Sequence, residues 1–391
     1  MVKGVKIVKK KPITEYIMEE PSLNTLFADP DLEEIMINGP KEPVFVYHTI
    51  YGQCRTNLQL SSSELLKLIQ EIAKKAGETI SPQRPFMDAR LPDGSRANAT
   101  LKEATPEGPT LTVRKFRSKP FSIVDLIKAG TLTPELGAFL WMAVEGEGNY
   151  PLNTIVIGGT GSGKTTTLNT LITFIPPKER IICIEDTMEL NFAGRINFVR
   201  MESYPGDPVR PPLTMNQLLI NALRMRPDRL IVGEVRGKEA ETLFNAMNVG
   251  HSAMGTLHAN SPAEFKTRLT NPPMNVPKDM LPLIDLVITQ ARIRTETGLK
   301  RRIISVTEVT PGERTISFNK VYEYDPKTDV TVKTDVPSIK EQELAKLSGL
   351  DITEIKEKTR EKQEIIELLM KKEKMSFEKV QEVMYEYYYE E

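Results

Sequence analysis

The stretch Gly158-Gly159-Thr160-Gly161-Ser162-Gly163-Lys164-Thr165 has the spacing GxxxxGK[ST], which binds phosphate through its backbone. Its glycines let successive N–H groups curl around phosphate oxygens. Lys164 is expected to reach the β and γ phosphates of a nucleoside triphosphate. The Thr165 hydroxyl is expected to ligate Mg²⁺, with Thr166 beside it on the first turn of a helix. ATP and Mg²⁺ are therefore the expected ligands. Farther along, "RLIVGE" delivers Glu234 to the end of an apolar run. Its carboxylate could polarise an attacking water or hold Mg²⁺ through a water. "IEDTMEL" supplies Glu185 and Asp186 at the end of another such run, with Glu189 close behind. Adjacent carboxylates near a phosphate loop suit metal or water ordering. Two of the three histidines, His251 and His258, lie in "GHSAMGTLHAN", where an imidazole can sense a γ-phosphate. The third, His48, reads as a strand or turn residue.

These groups need rigid elements behind them. "TIVIGG" reads as a buried strand and "GKTTTLNTLITFI" as the helix that points its positive N-terminus at the phosphates. "RIICIED", "RLIVGEV" and "SAMGTLHA" are further strands, separated by helical stretches such as "TMNQLLINALRM" and "GKEAETLFNAMNVG". Strands alternating with helices predict a parallel sheet, whose ligands gather at the carboxyl ends of the strands. The fold class is α/β. A basic, flexible arm is expected over residues 1–19 and a smaller α/β domain over 20–116. That domain includes a helix opening at "SSSE" and a hairpin at "RLPDGSRANATL". A linker is expected over 117–124, the phosphate-loop domain over 125–335 and a helical tail over 336–391.

Composition narrows the function classes. The 391 residues carry 52 basic and 53 acidic side chains, a balance unlike that of a general nucleic-acid binder. Cys54 and Cys183 are the two cysteines; they are far apart and supply no zinc set. Cys183, within an apolar run, reads as a core thiol. Reduced thiols beside a nucleotide site point to the cytoplasm. No apolar window reaches the length of a membrane span, and the amino terminus lacks the apolar core of a signal peptide. Five lysines among the first twelve residues, with no acid among them, suit a solvated arm or contact with anionic lipid.

"GGTGSGKTTTLN", "IEDTMEL", "LRMRPDRLIVGEVRG" and "GHSAMGTLHANS" together resemble, in order, the Walker A, Asp box, Walker B and His box of the type II/type IV secretion ATPase superfamily. "INGPKEPVFVYH", "LPDGSRANAT", "TVRKF" and the ending "YEYYYEE" resemble its archaeal branch, the motors of type IV-like pili and archaella. The resemblance implies a RecA-like ATPase domain behind a PAS-like amino-terminal domain, assembled as a homo-hexamer. It also implies arginines from the amino-terminal domain that reach the phosphates. Arg96 and Arg114 match those positions best, and Arg90 fits less well. The partners implied are a polytopic inner-membrane platform protein and a pilin-like filament, with the motor peripheral on the cytoplasmic face of the membrane. The long amino-terminal domain and the four-cysteine zinc element of many relatives have no counterpart here.

Two other classes compete. A nucleic-acid translocase on the same core would use the helix-turn-helix spacing of "LAKLSGLDITEIKEK". Residues 338–391, however, hold 10 basic against 14 acidic residues, the wrong sign for a base-reading element. A small-molecule kinase would leave the amino-terminal arginines without a purpose.

Overall fold

The computed structural model describes residues 2–116, 120–147, 150–192, 194–204, 206, 211–295, 298–312, 316–372 and 375–390. They fall into two compact units. Unit 1 is Met1–Ser118 with Arg294–Leu299, and unit 2 is Lys119–Ile293 with Lys300–Glu391.

Unit 1 carries β1 (Val5–Val8), β2 (Thr14–Met18), α1 (Leu23–Ala28), β3 (Leu32–Ile37), β4 (Pro43–His48), β5 (Gly52–Gln59), α2 (Ser62–Ala76), β6 (Phe86–Arg90), β7 (Arg96–Thr100) and β8 (Thr110–Arg114). Among the described residues the strands form one sheet in the order β1-β2-β5-β4-β3-β8-β7-β6. β5 through β8 alternate buried and exposed residues, the period-two pattern of a half-buried sheet. α2 covers the buried face with Leu65, Ile69, Ile72 and Ala73. A Ser61–Glu64 capping box starts this helix, and Gly77, with φ near 70°, ends it.

The flexible arm expected over residues 1–19 is instead built into this sheet. β1 pairs with β2, and β2 runs parallel to β5. Tyr16 is buried there and donates its hydroxyl hydrogen to Asp29 (2.6 Å). Val5, Ile7, Tyr16 and Met18 supply the apolar face. The lysines interleaved with the first of these masked the alternation in the sequence. Of the expected linker, residues 117–119 lie outside the described residues. Its last two residues already belong to α3 (Ile123–Lys128), capped by Ser122.

Unit 2 continues with α4 (Pro134–Glu145), β9 (Thr154–Gly158), α5 (Lys164–Ile172), β10 (Ile181–Glu185), β11 (Phe198–Glu202), α6 (Met215–Ala222), β12 (Arg229–Val235), α7 (Glu239–Asn248), β13 (Ser252–Leu257) and α8 (Pro262–Thr270). After a short 3-10 turn come β14 (Leu286–Thr295), β15 (Gly298–Pro311), β16 (Ile316–Asp325), β17 (Val330–Lys333), α9 (Ile339–Ser348), α10 (Ile352–Lys371) and α11 (Phe377–Glu390). The described strands form a sheet ordered β11-β10-β12-β13-β9-β14-β15-β16-β17. From β11 to β14 every pairing is parallel, while β16 is antiparallel to both β15 and β17. β9, β10 and β13 are buried along their whole length, as strands covered on both faces must be.

The expected separate helical tail is part of this unit's core. Leu344, Ile355, Ile366, Leu369, Val380 and Met384 join the cluster that contains α4 and the inner face of α5. The buried carboxylate of Glu308 in β15 accepts from Ile339 N (2.8 Å), Lys340 N (3.3 Å) and the Ser338 hydroxyl, so β15 caps α9 with an anion.

Candidate nucleotide site

β9 ends at Gly158, and the chain turns through the phosphate loop into α5. Gly161 (φ 71°) and Gly163 (φ 95°) adopt the left-handed conformation that glycine enters at least cost. Gly163 caps α5 without a side-chain hydrogen bond, which leaves the first helical N–H groups to an anion. Lys164 is buried, and its Nζ donates to the carbonyls of Gly158 (3.0 Å) and Gly159 (3.1 Å). Burial lowers its pKa, against the opposing charges of Glu234 and Glu189.

Glu234 sits where the β12–β13 pairing changes register between Val232 and Val235. A bulge at such a point re-aims the side chain it carries. The Thr256 hydroxyl fixes this bulge by donating to Gly233 O (2.6 Å). His258 follows β13 directly, and its Nε2 lies 3.3 Å from Glu234 Oε1. Burial first, then Lys164, Arg268 and Arg236, push the His258 pKa down, so the imidazole is neutral near pH 7. Asp186 is paired with Arg236, two residues beyond Glu234.

Two expected site residues have other surroundings. Glu185 is 2% exposed, and its Oε1 accepts from Glu189 N (2.7 Å) and Leu190 N (2.9 Å). Its Oε2 lies 3.4 Å from Arg200. Oε1 thus holds the loop after β10 and Oε2 faces Arg200 of β11, in place of the expected metal- or water-ordering role. Burial raises its pKa. Gly233 is needed beside it, since a Cβ there would stand 2.9 Å from Glu185 Cγ. His251 precedes β13, whereas the phosphate loop follows the far end of the parallel β9. Six strand residues separate it from His258, roughly 20 Å at a strand's rise. The expected contact of His251 with nucleotide is corrected accordingly within this unit: His251 N donates to Ala246 O (3.0 Å) behind α7.

In unit 1, strand register aligns the arginines. Arg90 lies opposite Arg96, Arg96 opposite Arg114, and Arg114 opposite Glu34. Directly opposed residues share a face, so Arg90, Arg96 and Arg114 form one row on the exposed side of β6, β7 and β8. Asp88 binds Arg96 through its Nε (2.8 Å). Like charges in such a row repel, and Asp88 on Arg96 and Glu34 opposite Arg114 offset part of that charge.

Sequence reasoning missed three residues that touch the phosphate loop: Gln290, Arg292 and Arg301. The apolar run "DLVITQ" giving way to alternating arginines marked a strand leaving the core, but not which loop it would meet.

Among the described residues no group of three or more His, Cys, Asp or Glu side chains is arranged to hold a metal. One helical hydroxyl, Thr165, with carboxylates nearby suits an ion that keeps phosphate and water ligands, as Mg²⁺ does.

The sequence profile described as Type II/IV secretion system protein matches residues 23–384. An uncharacterized protein of Methanocaldococcus jannaschii is 50% identical over 226 residues, covering 57% of this chain and 31% of that protein, so the chain spans under a third of that relative's length. The type IV secretion system protein PtlH homolog of Bordetella bronchiseptica is 30% identical over 319 residues, 73% of this chain and 92% of that protein. The crystal structure of the pilus retraction motor PilT with bound ADP matches with a TM-score of 0.53 at 17% identity, over 93% of this chain and 97% of that one. That likeness is one of fold, and it identifies the RecA-like architecture expected from the sequence.

Proposed function

Because the chain belongs to the type II/IV secretion system protein family, we propose that it is an ATP-hydrolysing motor. It works as a homo-hexamer and drives assembly, secretion or movement of a pilus-like filament. The observation that carries this reading is the meeting of three features at one sheet edge: the phosphate loop, the buried Lys164 and the Glu234–His258 pair.

In the proposed reaction Lys164 and the loop N–H groups hold the β and γ phosphates. Glu234 accepts a proton from the water that attacks the γ phosphorus, and His258 holds Glu234 in place. Thr165 would help to hold Mg²⁺, which would supply further positive charge. The arginine row of unit 1 neutralises the phosphoryl group in flight, a role worth about 10³- to 10⁵-fold in rate where it is known. Asp186, paired with Arg236, keeps that cation beside His258.

The described residues contain no helix long and apolar enough to cross a membrane. A motor that moves a filament through a membrane therefore needs an anchor. A polytopic platform protein is the proposed anchor, with the chain peripheral on the cytoplasmic face. The test is release of inorganic phosphate from Mg-ATP by purified protein. Wild type should turn over, and Lys164→Ala should lose nucleotide binding. Wild-type protein that neither binds ATP nor releases phosphate would defeat the reading.

A further inference from the structure

We infer that Arg292 and Arg301, which no sequence motif includes, are phosphate-binding cations of this nucleotide site. The inference rests on the nucleotide reading above. β14 runs parallel to β9 with Gln290 opposite Gly158, so the strand continues alongside the loop as the loop begins. Two residues on, Arg292 falls on the same face. Its Nη1 lies 3.2 Å from where a Cβ on Gly161 would stand. From β15, Arg301 Nε donates to Gly161 O (3.1 Å). Its Cδ lies 3.1 Å from the corresponding point on Gly163. The two guanidinium-bearing side chains thus flank the middle and the end of the loop. Gln290 joins them: it is 2% exposed, and its Nε2 stands 3.0 Å from the same point on Gly163. Its Oε1 has no hydrogen-bond partner among the described residues, a polar group left over beside the loop.

Charge explains why such cations belong here. Lys164 feels two carboxylates, Glu234 and Glu189. Asp186 is paired with Arg236. A polyphosphate at the loop therefore meets carboxylates as well as Lys164, and further cations beside the loop offset them. A guanidinium also matches phosphate oxygens with paired donors, which an ammonium does not. A merely structural brace for the loop would need neither the second arginine nor the charge.

The experiment is equilibrium titration of the full chain with ADP and, separately, with adenosine, which lacks phosphate. Arg292→Gln and Arg301→Gln should each weaken ADP binding about tenfold or more, the loss expected for a hydrogen bond to a charged group. Adenosine affinity and melting temperature should stay at wild type. Arg301→Lys, which keeps the charge, should recover part of the loss. ADP affinity unchanged in both glutamine variants overturns the inference, as does a loss shared equally by adenosine. A loss confined to Arg301→Gln also overturns it and reduces Arg301 to a brace for Gly161. If wild type itself fails to bind ADP, the nucleotide reading falls and takes this one with it.

Discussion

Glu234 and His258 make a pair whose behaviour depends on pH. Glu234→Gln keeps the shape of the side chain but removes its basicity. It should retain ATP and turn over about 10²-fold or more slowly, the scale of losing one electrostatic catalyst. Single-turnover phosphate release checks this, and near-normal turnover would unseat Glu234. His258 has a pKa below the ordinary value near 6.5. Its folded-state value is lower than its unfolded one, so the fold favours the neutral ring. That contribution to stability is complete above the unfolded value and is lost as the pH falls through the folded value. Protonation also sets a cation 3.3 Å from Glu234 and draws off its basicity. ATPase activity should therefore fall on the acid side, and in His258→Asn that fall should move to lower pH. A rate–pH profile between about pH 5 and 8 separates the two. That the phosphate loop, Glu234 and His258 lie close together was legible in the sequence because each follows an apolar run, and such runs end at one edge of a parallel sheet. His251 is near His258 in sequence but not in space, because the six-residue strand between them carries its two ends apart. Arg292 and Arg301 were invisible because they reach the loop only through the placing of β14 and then β15 beside β9 in the sheet.

The carboxyl-terminal helices show the same limit among secondary-structure elements. Their helical character was plain in the sequence, but their docking site was not, since it is made of polar contacts buried among apolar ones. Lys362 in α10 is fully buried between Glu145 (2.9 Å) and Glu147 (3.1 Å), with the Tyr387 hydroxyl at 2.9 Å. Burial pulls its pKa down, but Glu145, Tyr387 and Glu147 outweigh burial and raise it, so Lys362 stays charged. Lys362→Ala removes the cation shared by two buried carboxylates, of which Glu147 keeps Lys358 (3.2 Å), and should cost about 3–5 kcal/mol. Adding Glu145→Gln and Glu147→Gln should recover part of that loss. Trp141, the chain's one tryptophan, provides the measurement. Its indole donates to the Tyr388 hydroxyl (2.7 Å), which donates onward to Phe174 O (2.7 Å). Urea unfolding followed by its fluorescence reports on unit 2 and on the seat of α11. Tyr388→Phe breaks both bonds and should cost about 1–3 kcal/mol. It should also shift the emission of the folded protein. Unchanged emission and midpoint would mean that α11 is not held there in solution.

The distribution of charge over the molecule leads to the last prediction. The chain is nearly neutral, at a formal net charge of −1, yet three arginines stand in one row on unit 1. Lone surface arginines need no explanation. A row of three is different: Asp88 pairs with Arg96 and Glu34 lies opposite Arg114, and the row still presents three guanidinium groups on one exposed face, a surface suited to an anion met during a working cycle. If that anion is the γ-phosphate held by the loop of unit 2, ATP ties the two units together and phosphate loss lets them part. Such coupling makes assembly depend on the triphosphate. Arg96→Ala with Arg114→Ala should therefore bind ADP like wild type, because ADP lacks the γ-phosphate the row is proposed to meet. It should hydrolyse ATP at least about 10³-fold more slowly. In light scattering with a non-hydrolysable ATP analogue, wild type should reach the mass of a hexamer and the double variant should not. Mixing subunits that carry the double substitution with subunits that carry Lys164→Ala then tells where the arginines act. Recovered hydrolysis means that an intact row serves the loop of a neighbouring subunit, and no recovery means that it serves its own. Wild type that remains monomeric with the analogue, or a double variant that hydrolyses ATP normally, would break the link between the arginine row and the ring.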